Sequence, residues 1–195
     1  MTMTLVLGVG VTSSGASSSS WPKTIKAHAF YVAGNPKPLA FGTVVTAAML
    51  KRDGGSITSR SYVGNVGWAL GGANGFQYPF VSSDHGKIWR IGGHYFGGPW
   101  ADACAFVDHM SAITASVVVA WGNCPGNLYV TWSGGHQWNG VPVPGNLLTI
   151  KGTSNSGQVV LTARVSTYTD PKEHPLAVNY VSDDDGQSWF LSSNG

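Results

Sequence analysis

Ser82-Ser83-Asp84-His85-Gly86-Lys87-Ile88-Trp89 returns one hundred residues later as Ser182-Asp183-Asp184-Asp185-Gly186-Gln187-Ser188-Trp189, so the pattern Ser-x-Asp-x-Gly-x-x-Trp occurs twice in a chain of 195 residues. Each residue type suits a tight turn: the Asp carboxylate accepts backbone amides, the Gly takes a positive φ, and the Trp folds back beneath the turn as an apolar plug. A degenerate copy lies between them at Thr131-Trp132-Ser133-Gly134-Gly135-His136-Gln137-Trp138, with Ser133 in place of the Asp. Asp84 to Ser133 is 49 residues and Ser133 to Asp184 is 51, a period that predicts repeated four-stranded units of the kind that build propellers. A weaker echo, Asp53-Gly54-Gly55-Ser56-Ile57-Thr58, stands 31 residues before Asp84 and lacks the Trp.

These stretches resemble the Asp-box of sialidase-like, BNR-repeat β-propellers, Ser-x-Asp-x-Gly-x-Thr-Trp, with Ile88 and Ser188 at the Thr position. The resemblance spans about residues 41 to 190. It implies that each box joins the third and fourth strands of a blade, at the periphery and away from the active-site face, so the box aspartates are not catalytic. It also implies a secreted protein. Such boxes occur in sialidases, other glycoside hydrolases, sorting receptors and assembly factors, so the likeness bears on fold far more than on activity.

Composition points to all-β architecture, because 27 Gly, 10 Pro, 8 Trp and a lone glutamate, Glu173, favour turns and short strands over helices. With no linker or charge block, residues 1–195 read as one domain. The expectation is a β-propeller or partial propeller of about four four-stranded antiparallel blades. Propellers of this type commonly close with six or more. A shortfall predicts either a small ring or an open arc that pairs with another copy, hence a homo-oligomer. The N-terminal stretch Thr4 to Val11 is a candidate outer strand for the last blade.

The net charge of +2, with 11 scattered Lys and Arg, argues against nucleic acid as a partner. No apolar run reaches the roughly 20 residues that span a bilayer, which argues against a membrane partner. Leu5 to Val11 followed by Ser-rich sequence lacks the basic residues that open a signal peptide, and reads as a strand and loop. Cys104 and Cys124 are too few for a disulfide framework, and their pairing stays open. His85, His94 and His109 with Asp84, Asp102 and Asp108 match no compact ligand spacing, so no metal and no cofactor is expected.

Strands are predicted at Gly67–Leu70, Tyr78–Val81 and Trp89–Ile91; at Ala103–Asp108, Ser116–Trp121, Leu128–Trp132 and after Trp138; and at Val159–Tyr168, Leu176–Val181 and Trp189–Ser192. Upstream, Ala27–Val32 and Leu39–Leu50 read as a hairpin. Loops at the blade end opposite the boxes would then hold His94, Tyr95, Trp100 and Asp102 in one crossover, and Asp170, Lys172, Glu173 and His174 in another turn.

Glycoside hydrolysis needs two carboxyl groups at a defined separation and aromatic surfaces for sugar rings. Glu173 and Asp102 are the catalytic candidates, and His94, Tyr95, Trp100 and His174 the substrate-binding ones. True sialidases use three arginines on the substrate carboxylate and an Arg-Ile-Pro signature. This chain has only Arg52, Arg60, Arg90 and Arg164, with Arg90-Ile91-Gly92 the nearest string. Two function classes follow: a carbohydrate-active protein that hydrolyses or binds a glycan on the loop face, and a non-catalytic scaffold or protein-interaction module.

Overall fold

The computed structural model describes residues 37–52, 56–97, 107–122, 128–143, 146–155, 157–167, 176–184 and 186–192. Within them the chain is almost entirely β. Strands β1 (Ile57–Val63), β2 (Val66–Ala73), β3 (Phe76–Ser82) and β4 (Arg90–Ile91) form the first sheet. Strands β5 (His109–Ala112), β6 (Val118–Trp121), β7 (Leu128–Thr131) and β8 (Asn139–Val141) form the second, and β9 (Asn146–Asn155), β10 (Gln158–Thr167), β11 (Leu176–Ser182) and β12 (Phe190–Leu191) the third. Every pairing is antiparallel and every strand sits beside its sequence neighbour, so each sheet is a simple meander.

The layering follows from the two-residue period of a strand. On β2, Trp68 and Leu70 point into a cluster with Val107, Met110, Val118 and Ala120, while Ala69 and Ala73 join Phe76, Tyr78, Phe80, Trp89 and Ile91 on the other face. On β6, Val118 and Ala120 face the first sheet, and Val119 and Trp121 face Leu147, Ile150, Val159, Leu161 and Ala163 of the third. The second sheet is therefore buried on both faces and holds the other two apart. This is why its central strands read as continuous apolar runs rather than as alternating ones.

Polar side chains fasten the first sheet to the second. The Ser59 hydroxyl accepts the Met110 N–H at 2.6 Å and the Ser61 hydroxyl accepts that of Ala112 at 2.9 Å. The Gln77 carboxamide clamps the backbone of one residue, donating to the Val107 carbonyl at 2.7 Å and accepting the Val107 N–H at 2.9 Å. The Trp68 indole donates to the Ala115 carbonyl at 3.3 Å.

Three expectations change. Leu39–Leu50 is not a strand: Thr46 caps a short helix, α1 (Ala47–Arg52), accepting the Met49 N–H on its hydroxyl at 3.2 Å, because Ala-Ala-Met-Leu-Lys is a run of strong helix formers. Before it, residues 42–45 lie along β4, with bonds between Val45 and Trp89 (2.9 Å) and between Ile91 and Thr43 (2.8 Å). Of the Asp53 echo, Ile57 and Thr58 belong to β1, the first strand of the first sheet rather than a fourth strand, while residues 53–55 lie outside the described ones, which form three sheets where about four were expected. The second sheet's β5 spans His109–Ala112, so Val107 and Asp108 of the predicted Ala103–Asp108 precede it, while residues 103–106 lie outside the described ones. Ala27–Val32 and Thr4–Val11 lie outside the described residues.

Candidate functional site

In all three sheets the repeated motif is the connection between the third and fourth strands, and its bonding is the same each time. Ser82 donates its hydroxyl to Asp84 Oδ1 at 2.6 Å and accepts the Gly86 N–H at 2.9 Å, while Asp84 Oδ1 accepts the Ile88 N–H at 2.9 Å. Ser182 donates to Asp184 Oδ1 at 2.8 Å and accepts the Gly186 N–H at 2.7 Å, and Asp184 Oδ1 accepts the Ser188 N–H at 2.9 Å. In the degenerate copy Thr131 accepts the Gly135 N–H at 2.9 Å and Ser133 accepts that of Gln137 at 2.9 Å. The glycines share one backbone state, with φ of 83° at Gly86, 89° at Gly135 and 83° at Gly186.

These bonds leave the turn carboxylates structurally committed. Hydrogen bonds from Ser82 and the Ile88 backbone lower the Asp84 pKa. The Ser188 hydroxyl, the Ser188 backbone and Ser182 bring that of Asp184 down to about 2. Both groups are stabilised as anions by their own turns and are poor proton donors at neutral pH.

The turn end and the opposite end of the first sheet are distinguished by contacts. The His85 N–H donates to the Asn65 carbonyl at 2.8 Å, so the motif turn and the β1–β2 turn share one end. The β2–β3 hairpin, closed by Asn74 (φ 55°) and Gly75 (φ 81°), marks the other, because two successive positive φ values fit the tightest hairpin turn. Near that hairpin lie the two described candidates. Tyr95 packs on Phe76 with ring centroids 4.7 Å apart and meets Tyr78 edge-on at 6.3 Å. His94 is exposed, stacks on Tyr95 at 4.2 Å and 29°, and keeps Nδ1 3.0 Å from the Tyr95 carbonyl oxygen. Asp102, Trp100, Glu173 and His174 lie outside the described residues, as do Cys104 and Cys124.

The same hairpin organises polar groups that the sequence reading passed over. Asn74 donates its amide to the Lys37 carbonyl at 2.7 Å and accepts Arg52 Nη1 at 3.4 Å. Tyr78 accepts the Leu39 N–H at 2.7 Å on its hydroxyl. The Asn74-Gly75 dipeptide was the available signal, as a hairpin turn, but nothing local links it to Arg52, 22 positions upstream. What the described part of this end offers is an exposed imidazole on a half-buried ring stack, and an exposed guanidinium hydrogen-bonded to the hairpin residue Asn74. Such a surface can stack a flat or ring-shaped ligand and hydrogen-bond to it.

A second recess lies between the second and third sheets, lined by Trp132, Asn139, Gly140, Val141, Gly186 and Gln187, with a volume of about 560 Å³. No family model matches the chain, and no curated protein matches it either.

Proposed function

We propose that the three meanders are blades of an Asp-box propeller and that the protein is carbohydrate-active, engaging a glycan on the end opposite the motif turns. The observation that carries the reading is the threefold recurrence of one hydrogen-bonded turn between third and fourth strands, in sheets that follow one another in sequence and in packing. The His94–Tyr95–Phe76 stack supports the choice of face, since a sugar presents an apolar C–H surface to an aromatic ring and hydroxyls to neighbouring polar groups. Glycan binding is the form of the activity that the described residues favour. Hydrolysis adds Glu173 as acid or base, with Asp102 as its partner.

A glycan-array screen of the full chain, run beside a panel of chromogenic glycosides, tests the proposal. Binding that Tyr95→Ala weakens about tenfold without lowering Tm supports the face chosen, since a lost ring contact is worth roughly 1 kcal/mol. Turnover abolished by Glu173→Gln would make the protein a hydrolase. Silence on both panels would sink the carbohydrate reading.

The alternative is a non-catalytic scaffold that associates with copies of itself or other chains. It is favoured by the outer strand of the third sheet, where Phe190 is 62% and Leu191 65% exposed. Light scattering that returned a compact monomer would remove its self-associating form, and binding on the glycan array would remove the rest.

A further inference from the structure

The two junctions between successive sheets are built to one plan and closed differently. At the first, the motif turn of the second sheet presses on the end of β4. The Trp138 indole donates to the Gly92 carbonyl at 3.2 Å, meets Trp68 edge-on at 6.0 Å and Phe96 at 5.0 Å, and a methyl group on Gly135 would overlap the Gly92 carbonyl. That junction is tight.

At the second junction the equivalent turn meets β8 more loosely. A Cβ on Gly186 would make only side-chain contacts, 3.2 Å from Val141 and 3.5 Å from Leu161. The Trp189 indole N–H, counterpart of the Trp138 donor, is buried with no acceptor among the described residues. The space left over is the 560 Å³ cleft along β8, within the roughly 300–1,000 Å³ of small-molecule sites.

Its described lining contains no charged side chain. Trp132, half-buried, supplies an aromatic wall, and its indole N–H has no acceptor among the described residues, so no hydrogen bond pins the ring as Trp138's is pinned. Gln187 is exposed on a turn whose backbone is fixed by its N–H to Asp184 at 3.3 Å. Asn139 accepts Gln137 Nε2 on its Oδ1 at 3.0 Å, so its amide NH₂ is the group it has to offer as a donor.

We propose that this cleft is a second binding site, separate from the hairpin end, for a neutral saccharide that stacks one ring face on Trp132 and hydrogen-bonds to the carboxamides of Gln187 and Asn139. One aromatic wall with uncharged amides matches the amphipathic surface of a sugar; an anionic ligand would find no cation in the described lining, and a purely apolar one would strand both amides. The site does not depend on the glycan reading of the opposite end, because it shares none of its residues.

Saturation-transfer difference NMR on the full chain with cellobiose, lactose and N,N′-diacetylchitobiose tests it. At least one disaccharide is expected to receive transfer, with affinity reduced about tenfold in Trp132→Ala, as loss of a ring contact predicts, retained in Trp132→Phe, and reduced several-fold in Gln187→Ala. Gln187→Ala alters an exposed side chain and keeps the test decisive if Trp132→Ala fails to fold. Binding unaffected by either Gln187→Ala or a folded Trp132→Ala, or no transfer to any of the three sugars, overturns the proposal. Binding lost in Tyr95→Ala but intact in Gln187→Ala would assign the sugar to the hairpin end and overturn it equally.

Discussion

The Ser133 hydroxyl accepts the Gln137 backbone N–H at 2.9 Å, the distance at which Asp84 accepts that of Ile88 and Asp184 that of Ser188. A neutral hydroxyl thus reproduces the geometry of a carboxylate turn. It does so with the weaker acceptor, since hydrogen bonds to charged groups are worth roughly twice those between neutral ones.

Ser133→Asp should therefore stabilise the protein by about 1 kcal/mol, with Thr131 donating to the new carboxylate as Ser82 does to Asp84. Urea unfolding checks this; an unchanged or lower midpoint would mean the second turn cannot accommodate a carboxylate.

Much of the fold was legible because the turn chemistry is local. Ser-x-Asp-x-Gly-x-x-Trp places its donors and acceptors within seven residues, Ser82 to Ile88 in the first copy, so the ends of β3, β7 and β11 could be read from sequence. Strand β9 was missed, since Asn146–Asn155 carries Gly152 and Ser154 where alternation from Ile150 would need apolar residues. The helix at Ala47–Arg52 was read as a strand because six residues are too short to reveal a 3.6-residue period. The site was less legible still. The His94–Tyr95 pair was found by loop placement, but the bond joining Arg52 to Asn74 and the cleft between β8 and the last turn arise from packing between segments far apart in sequence.

Gly134 and Gly135 offer a separation of backbone strain from crowding. Both have positive φ, 63° and 89°, but nothing lies within 4 Å of a Cβ built on Gly134, whereas one on Gly135 meets the Gly92 carbonyl and the Trp68 ring. Gly134→Ala should cost about 1–2 kcal/mol, the left-handed penalty alone. Gly135→Ala should cost on the order of 3 kcal/mol or more, since overpacking against backbone adds to it. Equal losses in a denaturant series would show that the first junction is not tightly closed.

The motif tryptophans should not be equivalent. Trp89 is 8% exposed in the cluster with Phe80 and Ile91, while Trp189 is only half-buried, contrary to its expected role as a full plug. Trp89→Ala is expected to cost about 3–5 kcal/mol. Trp189→Ala should cost less, because less apolar surface leaves water on folding and its N–H satisfies no acceptor among the described residues. A larger loss at Trp189 would reverse this ranking.

Acid should reach the third sheet's turn late. A carboxylate whose folded pKa is depressed binds fewer protons folded than unfolded through that window, so its stabilising contribution is complete above the unfolded value of about 3.8 and disappears as pH falls through the folded one. For Asp184 the loss should run from about pH 4 to about pH 2. Asp184→Asn should therefore lower Tm at pH 7, and its deficit relative to the unmodified protein should shrink across that window and vanish below it. Ser188→Ala removes the largest cause of the depression and should narrow the window from its acid side; Asp84, with Ile88 in the corresponding place, has no such hydroxyl to lose. Melting curves from pH 7 to 2 decide it: a deficit in Asp184→Asn that stays constant with pH would show that the carboxylate's charge does not hold this turn.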